Sequence, residues 1–431
     1  MKKSLRAGVV GAVLCAVTLT AFPLTGGVAA YSLSRYATSN ASRVGQSNAH
    51  ALGSTVNVGA IGLYAGFNAS ASGKTPEVLQ AWADTMNAEG GLDGHRVKMF
   101  TEDAAQGEEP GLGDIKTLIN QDHVIAIIDQ DESPDDATWL PYAKQHNVPV
   151  IVAGAAYISP MSDTDAFPVV GDAALVIYQV LAVAKSLGPN FAFDYCTELP
   201  ACAAYGQLVK AVGADLGESV PVETGASSSA PDYTALCQDL SGQVESWSMF
   251  FPAETEQTIT DQCVSQGIKV PQLLLAVSAA PYWKTDSAFY GDTVLDQSAP
   301  YFADLTPGQK AYRNALKKYA PSILGATQDT TITVWAWDAA QLIAAAAKNA
   351  GTTLTRASLT SGLYDIKDNT LGGLTQPLTF VKNRPTWLPC GFTWKIGPTG
   401  QFEAGGKYEH LVCAPTKLFN TINQFIEKAA G

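Results

Sequence analysis

Charge is scarce in this 431-residue chain: Asp, Glu, Lys and Arg make up 16% of it, and there are only five histidines. The histidines are scattered and no CxxC pair occurs, so the usual zinc spacings are excluded. Catalytic signatures are missing too: there is no GxSxG elbow, P-loop, HExxH or GxGxxG. An exported hydrolase would need a nucleophile with a positioned base, and no histidine sits in a recognisable loop for it. The closest metal candidate is "DQDESPDD", Asp129 to Asp136, whose first residues imitate a calcium loop. It fails where geometry matters, with Pro134 in place of the required glycine and Leu140 in place of the bidentate Glu. No cofactor and no metal are expected. Because the segment follows a strand, its acids are candidates for a cleft-facing loop.

Beyond residue 30 no apolar run approaches the length of a membrane span. The first thirty residues differ. Lys2, Lys3 and Arg6 precede an apolar run from Ala7 to Phe22, and "VAA" closes a small-residue region before Tyr31. This is the pattern of a secretory signal, with cleavage expected after Ala30; an uncleaved anchor helix is the alternative, and the run is short for one. Cys15 follows Leu14, where a lipoprotein signal needs a small residue. Loss of three basic residues leaves 24 basic against 40 acidic side chains, a net charge of −16, which argues against nucleic acid and anionic membranes as partners. Residues 31–54, rich in Ser, Ala and Asn, read as a tether.

Six cysteines remain after Cys15: Cys196, Cys202, Cys237, Cys263, Cys390 and Cys413. Fifteen pairings are formally possible in an exported chain. Nearest neighbours are expected to pair. "CTELPAC" closes a small loop, Cys237 and Cys263 would sit on helices flanking "SWSMFF", and Cys390 and Cys413 on neighbouring C-terminal strands.

The core begins at "TVNVGAIGLY" and then alternates short apolar strands with helices. "HRVKMFTED", a helix near 111–121, "VIAIID", a helix near 135–146 and "PVIVAG" form one series. After "AFPVVGD" a second begins, with helices near 173–187, 202–217, 232–243 and 254–266 around "NFAFDY", "SVPVETG", "SWSMFF" and "PQLLLAV". Such alternation predicts parallel, doubly wound α/β sheets. Past residue 300 come helices near 306–319, 330–349 and 355–363, the long one with Trp335, Ala339, Leu342 and Ile343 on one side. "QPLTFV", "CGFTWKIG" and "KYEHLVC" then read as antiparallel strands. The expected division is 55–170 with 297–371 as one lobe and 171–296 with 372–431 as the other.

The stretch "NAEGGLDGHRVKMFTED" carries three glycines between a helix and a strand. Upstream, "TPEVLQAWADTM" has Thr75 as N-cap, Pro76 at the first helical position, and Val78, Leu79, Trp82 and Met86 at helical spacing. Gly90 and Gly91 suit a left-handed helix end and Gly94 a turn. This stretch resembles the hallmark of type I solute-binding proteins, the branched-chain amino-acid-binding family of ABC importers. "VNVGAIGLYAG", "HNVPVIVAGA", "AAYGQ" and "VWAWDAAQLIAAAAKNAG" extend the likeness over nearly the whole core.

The resemblance implies two lobes joined by three crossings, with a ligand trapped between them. It implies no enzyme activity, a small-molecule ligand such as an amino acid, amide or related organic acid, and an ABC permease in the membrane as partner. An exported monomer is expected, in the periplasm, at the outer face of the membrane or secreted. Carried over residue by residue, the loop Leu63–Phe67 with Tyr64, Ser133, and the backbone at Gly154 and Ala156 beside Tyr157 correspond to lobe-one contacts, and Tyr205 to a lobe-two tyrosine that closes over the ligand. Each has a plainer reading. Tyr64, Tyr157, Tyr205 and Trp283 could be core or rim aromatics, and Ser133 could cap the helix beginning at Pro134. Two positions depart from the amino-acid-binding pattern: Ala156 replaces a hydroxyl residue, and near "LLLAVSAA" only Ala276 to Ser278 stand where an acid would meet an α-ammonium. A ligand-sensing module of a signalling system is the alternative function.

Overall fold

A computed structural model describes residues 53–66, 69–104, 110–130, 136–154, 163–198, 200–351, 353–404 and 411–417. The first sheet is fully parallel. Its strands are β1 (Thr55–Gly62), β2 (Arg96–Asp103), β3 (Ile127–Gln130), β4 (Val150–Val152) and β5 (Ala166–Pro168), in the order β2-β1-β3-β4-β5. Between them run α1 (Ala69–Ser72), α2 (Thr75–Ala88), α3 (Pro110–Asn120) and α4 (Asp136–Gln145).

Helix α2 buries Val78, Leu79, Ala81 and Trp82, as its apolar spacing predicts. Its start differs by one residue from expectation: Lys74 occupies the cap without a side-chain hydrogen bond, and Thr75 is buried in the first turn. The end follows the glycines. Gly90 and Gly91 take φ of 109° and 85°, and the Gly91 N–H donates to Met86 O at 2.8 Å. Asn87 explains why an amide precedes them, since its side chain exchanges two hydrogen bonds with the backbone of Val97, 2.9 and 2.8 Å, and pins the helix end to β2.

The second sheet receives α5 (Ala173–Leu187), β6 (Asn190–Cys196), α6 (Pro200–Leu216), β7 (Ser219–Ala226), α7 (Thr234–Leu240), β8 (Ser246–Phe250), α8 (Ala253–Ser265), β9 (Leu273–Leu275) and β10 (Thr293–Asp296). Strands β7-β6-β8 are parallel, a single bridge from Trp247 to Gln272 leads on to β9, and β9 lies parallel to β10. After α9 (Pro307–Tyr319), α10 (Thr331–Ala350) and α11 (Arg356–Tyr364), the chain returns as β11 (Cys390–Ile396), antiparallel to β10, with β12 (Phe402–Glu403) and β13 (Val412–Cys413) beside it. The molecule is thus a two-lobed α/β protein with mainly parallel sheets. The chain crosses between the sheets three times: after β5, after β10 and before β11.

Disulfides join Cys196 to Cys202, Cys237 to Cys263, and Cys390 to Cys413. The second links α7 to α8 on one side of β8, and the third ties β11 to β13 at directly paired positions.

Three further features depart from the sequence reading. Strand β10, "TVLD", was not expected; its four residues lie between loop-like segments and are held as a strand only by neighbours on both sides. "QPLTFV" forms no strand, and Leu378 makes only an isolated bridge to Asn369. Helix α10 is buried nearly all round, Trp337, Ala340 and Ala347 included, because it is wedged against α2, α11 and the first sheet. Among the described residues no helix is long and apolar enough to cross a membrane.

Candidate functional site

In open parallel sheets ligands settle beyond the carboxyl ends of the strands, and the sequence-predicted contacts that the structure describes lie there in both lobes. In the first sheet β1 ends at Gly62, and the chain turns through Leu63 and Tyr64. The Tyr64 N–H donates to Asp103 Oδ1, at the end of β2, at 3.0 Å, and the Ser72 hydroxyl donates to Leu63 O. The Tyr64 ring folds back on the strand so closely that a Cβ at position 62 would stand 2.6 Å from it. Glycine at that strand end leaves room for the ring, a matter of contact and not of backbone conformation. Gly154 follows β4 and is half-buried; Ala153 before it donates its N–H to Asp129 O at 2.8 Å. Gln130, last in β3, donates through Nε2 to Ile332 O of α10 at 2.9 Å. Ser133, Ala156 and Tyr157 lie outside the described residues.

In the second sheet Tyr205 occupies the second turn of α6, just after the Cys196–Cys202 loop. It is 7% exposed and packs in the lobe's core with its ring 5.2 Å from that of Phe250, the last residue of β8. The loops after β6 and β7 are tied together: the Glu198 carboxylate accepts from Ser227 Oγ at 2.8 Å, Ser228 N at 2.7 Å and Ser228 Oγ at 3.1 Å. What little burial it has would raise that carboxyl, but these donors outweigh it and hold the group below its ordinary range. Trp283 is wholly buried and stacks on Phe289 at 4.5 Å, as a core aromatic does.

The acid that seemed missing near "LLLAVSAA" has a neighbour supplied from elsewhere. Glu256, wholly buried in α8, accepts the Phe251 N–H on Oε1 at 3.1 Å, while the Ser278 hydroxyl donates to Phe251 O at 2.8 Å. Its Oε2 has no hydrogen-bond partner among the described residues. Burial drives this carboxyl well above the carboxylate range, against the opposing hydrogen bond from the Phe251 N–H. Burial thus disfavours the charged form that a counter-ion for an ammonium would need. The only sequence signal was "PAETEQ" opening a helix directly after a strand, which resembles any acidic helix start.

No group of three or more His, Cys, Asp or Glu able to hold a metal occurs among the described residues. The profile of a family described as periplasmic binding proteins matches residues 55–386. The chain belongs to that family. It is thus a binding protein rather than an enzyme, of a family that works outside the cytoplasm. No curated protein matches the chain by sequence. Solved structures share the fold of this binding protein at low identity. A branched-chain amino acid ABC transporter protein from Thermus thermophilus with bound valine has TM-score 0.71 and 15% identity, over 85% of this chain and 98% of that one. The branched-chain amino acid substrate-binding protein LivJ from Streptococcus pneumoniae, in complex with isoleucine, has TM-score 0.66 and 14% identity, over 84% and 99%. A solute-binding protein of R. palustris in complex with 4-hydroxybenzoate has TM-score 0.66 and 17% identity, over 83% and 97%.

Proposed function

We propose that this protein captures a small organic solute, an amino acid, amide or related organic acid, by lobe closure and delivers it to an ABC permease in the membrane. The observation that carries this reading is the pair of carboxyl-end loop sets, Leu63–Tyr64 and Gly154 on one sheet and Tyr205 with Phe250 on the other, in a family of binding proteins. The lobes are taken as 55–170 with 297–371, and 171–296 with 372–431. Tyr64, Ser133, Gly154, Ala156, Tyr157 and Tyr205 are the proposed ligand contacts. Residues 1–30 are proposed to direct export and 31–54 to act as a tether, the protein working as a monomer.

The mechanism is binding. Contacts made by both lobes stabilise the closed state over the open one, and a micromolar dissociation constant requires only about 8 kcal/mol. The test is mass spectrometry of any small molecule that co-purifies, followed by calorimetry with amino acids, amides and aromatic or aliphatic acids. Tight 1:1 binding of one such solute is expected. Binding of none across these classes contradicts the reading.

A further inference from the structure

Where the chain leaves the second sheet for the first, a single buried carboxylate touches pieces of both. Asp296 ends β10, is 0% exposed and accepts four hydrogen bonds. Its Oδ1 receives the Gln297 N–H at 2.8 Å, the Ser298 N–H at 3.2 Å and the Thr331 hydroxyl at 2.7 Å, and its Oδ2 receives the Trp394 indole N–H at 3.1 Å. Trp394 belongs to β11 of the second sheet, whereas Thr331 opens α10, which packs on the first. Ser298 passes the link on, its hydroxyl donating to Asp338 Oδ2, two turns further along α10, at 2.7 Å. Asp338 is also fully buried, and its Oδ1 has no hydrogen-bond partner among the described residues.

The third crossing and α5 attach at the same place. The Ala299 N–H donates to Leu374 O at 2.8 Å, joining the second crossing to the third. Gln179 of α5 donates through Nε2 to Asp296 O at 3.2 Å and Phe392 O at 3.3 Å. Hydrogen bonds to a buried carboxyl group are short-ranged and directional, and a donor left without its acceptor in such a site is costly. Rotation of one lobe against the other moves Thr331 and Asp338 relative to Trp394 and β10. The full set of bonds is therefore compatible with a narrow range of lobe angles.

We propose that Asp296, with Ser298, Thr331 and Asp338, forms a hinge latch that selects the lobe angle and so sets how much closure the ligand itself must drive. The latch rests on the two-lobed solute-binding reading, but its test needs no ligand, so either can fail without the other. Small-angle scattering is measured on the ligand-free protein, wild type against Thr331→Val, Ser298→Ala and Asp296→Asn. Asp292→Asn serves as control, because Asp292 is buried but accepts from Gln272 N at 3.0 Å within the second sheet alone. Expected is a shifted or broadened distribution of radii of gyration in the three hinge variants and a wild-type distribution in the control. Hinge variants that melt at lower temperature yet scatter like wild type, or a control that shifts as they do, overturn the latch. Thr331→Val keeps shape and volume, so it remains a fair test if Asp296→Asn does not fold.

Discussion

The ring of Tyr205 lies 5.2 Å from that of Phe250, tilted by 41°, so the lobe-two tyrosine proposed to close over ligand is also a packing residue of its own lobe. Tyr205→Ala should therefore lower the thermal midpoint, by roughly 2 to 4 kcal/mol of stability, as well as weaken binding. Tyr205→Phe separates the two roles. It keeps the ring and should cost no more than about 1 kcal/mol of stability, while loss of a ligand hydrogen bond should weaken affinity roughly fivefold. Calorimetry and a melting curve on the same variant check this, and unaltered affinity in both variants would remove Tyr205 from the site.

Gly62→Ala probes the first lobe. The new methyl would stand 2.6 Å from the Tyr64 ring, so the ring must move, at a cost of about 1 to 3 kcal/mol. If Tyr64 contacts ligand, affinity should fall by more than the Tyr205→Phe effect. A stable variant with wild-type affinity would place Tyr64 outside the site.

Stability should depend on pH in the direction opposite to ordinary acid unfolding. Burial pushes the Asp172 carboxyl, which caps α5 by accepting from Leu175 N, up to about 7, and that of Asp292 up to about 8. Both exceed the unfolded value of about 4. The folded state then holds more protons, so the contribution is complete below about pH 4 and is lost as pH rises through about 7 and about 8. The melting midpoint should be higher at pH 5 than at pH 9, and Asp172→Asn, which can still cap α5, should flatten the slope. A midpoint that rises over this window contradicts the account.

Reduction should act mainly through the two longer bridges, Cys390–Cys413 over 23 positions and Cys237–Cys263, which spans 26 and joins α7 to α8. Its loss through Cys237→Ala with Cys263→Ala should cost about 3 to 4 kcal/mol on the chain-entropy account. Chemical denaturation measures it, and non-reducing peptide maps should show the three neighbouring pairs.

Local signals carried most of the architecture. The apolar spacing of α2 and the three glycines after it marked a helix, its end and the next strand, because those choices depend on residues within a few positions. What escaped notice was held together at a distance. Strand β10 exists through pairing with β9 and with β11, about a hundred residues later, and the hydrogen bond from Trp394 to Asp296 spans 98 positions. Helix α10 reads as one-sided but is enclosed by partners from both ends of the chain. In the candidate site the same rule applies: Tyr205 is marked by the local stretch "AAYGQ" and its resemblance to a family tyrosine, whereas Glu256 and Ser278 meet only at the backbone of Phe251.

Lobe closure on a bound solute is the centre of the account, and small-angle scattering with and without the solute identified by mass spectrometry measures it most directly. The account predicts a smaller radius of gyration at saturating solute, with a midpoint concentration equal to the calorimetric dissociation constant. A radius unchanged at saturation, with binding confirmed in the same sample, would contradict it.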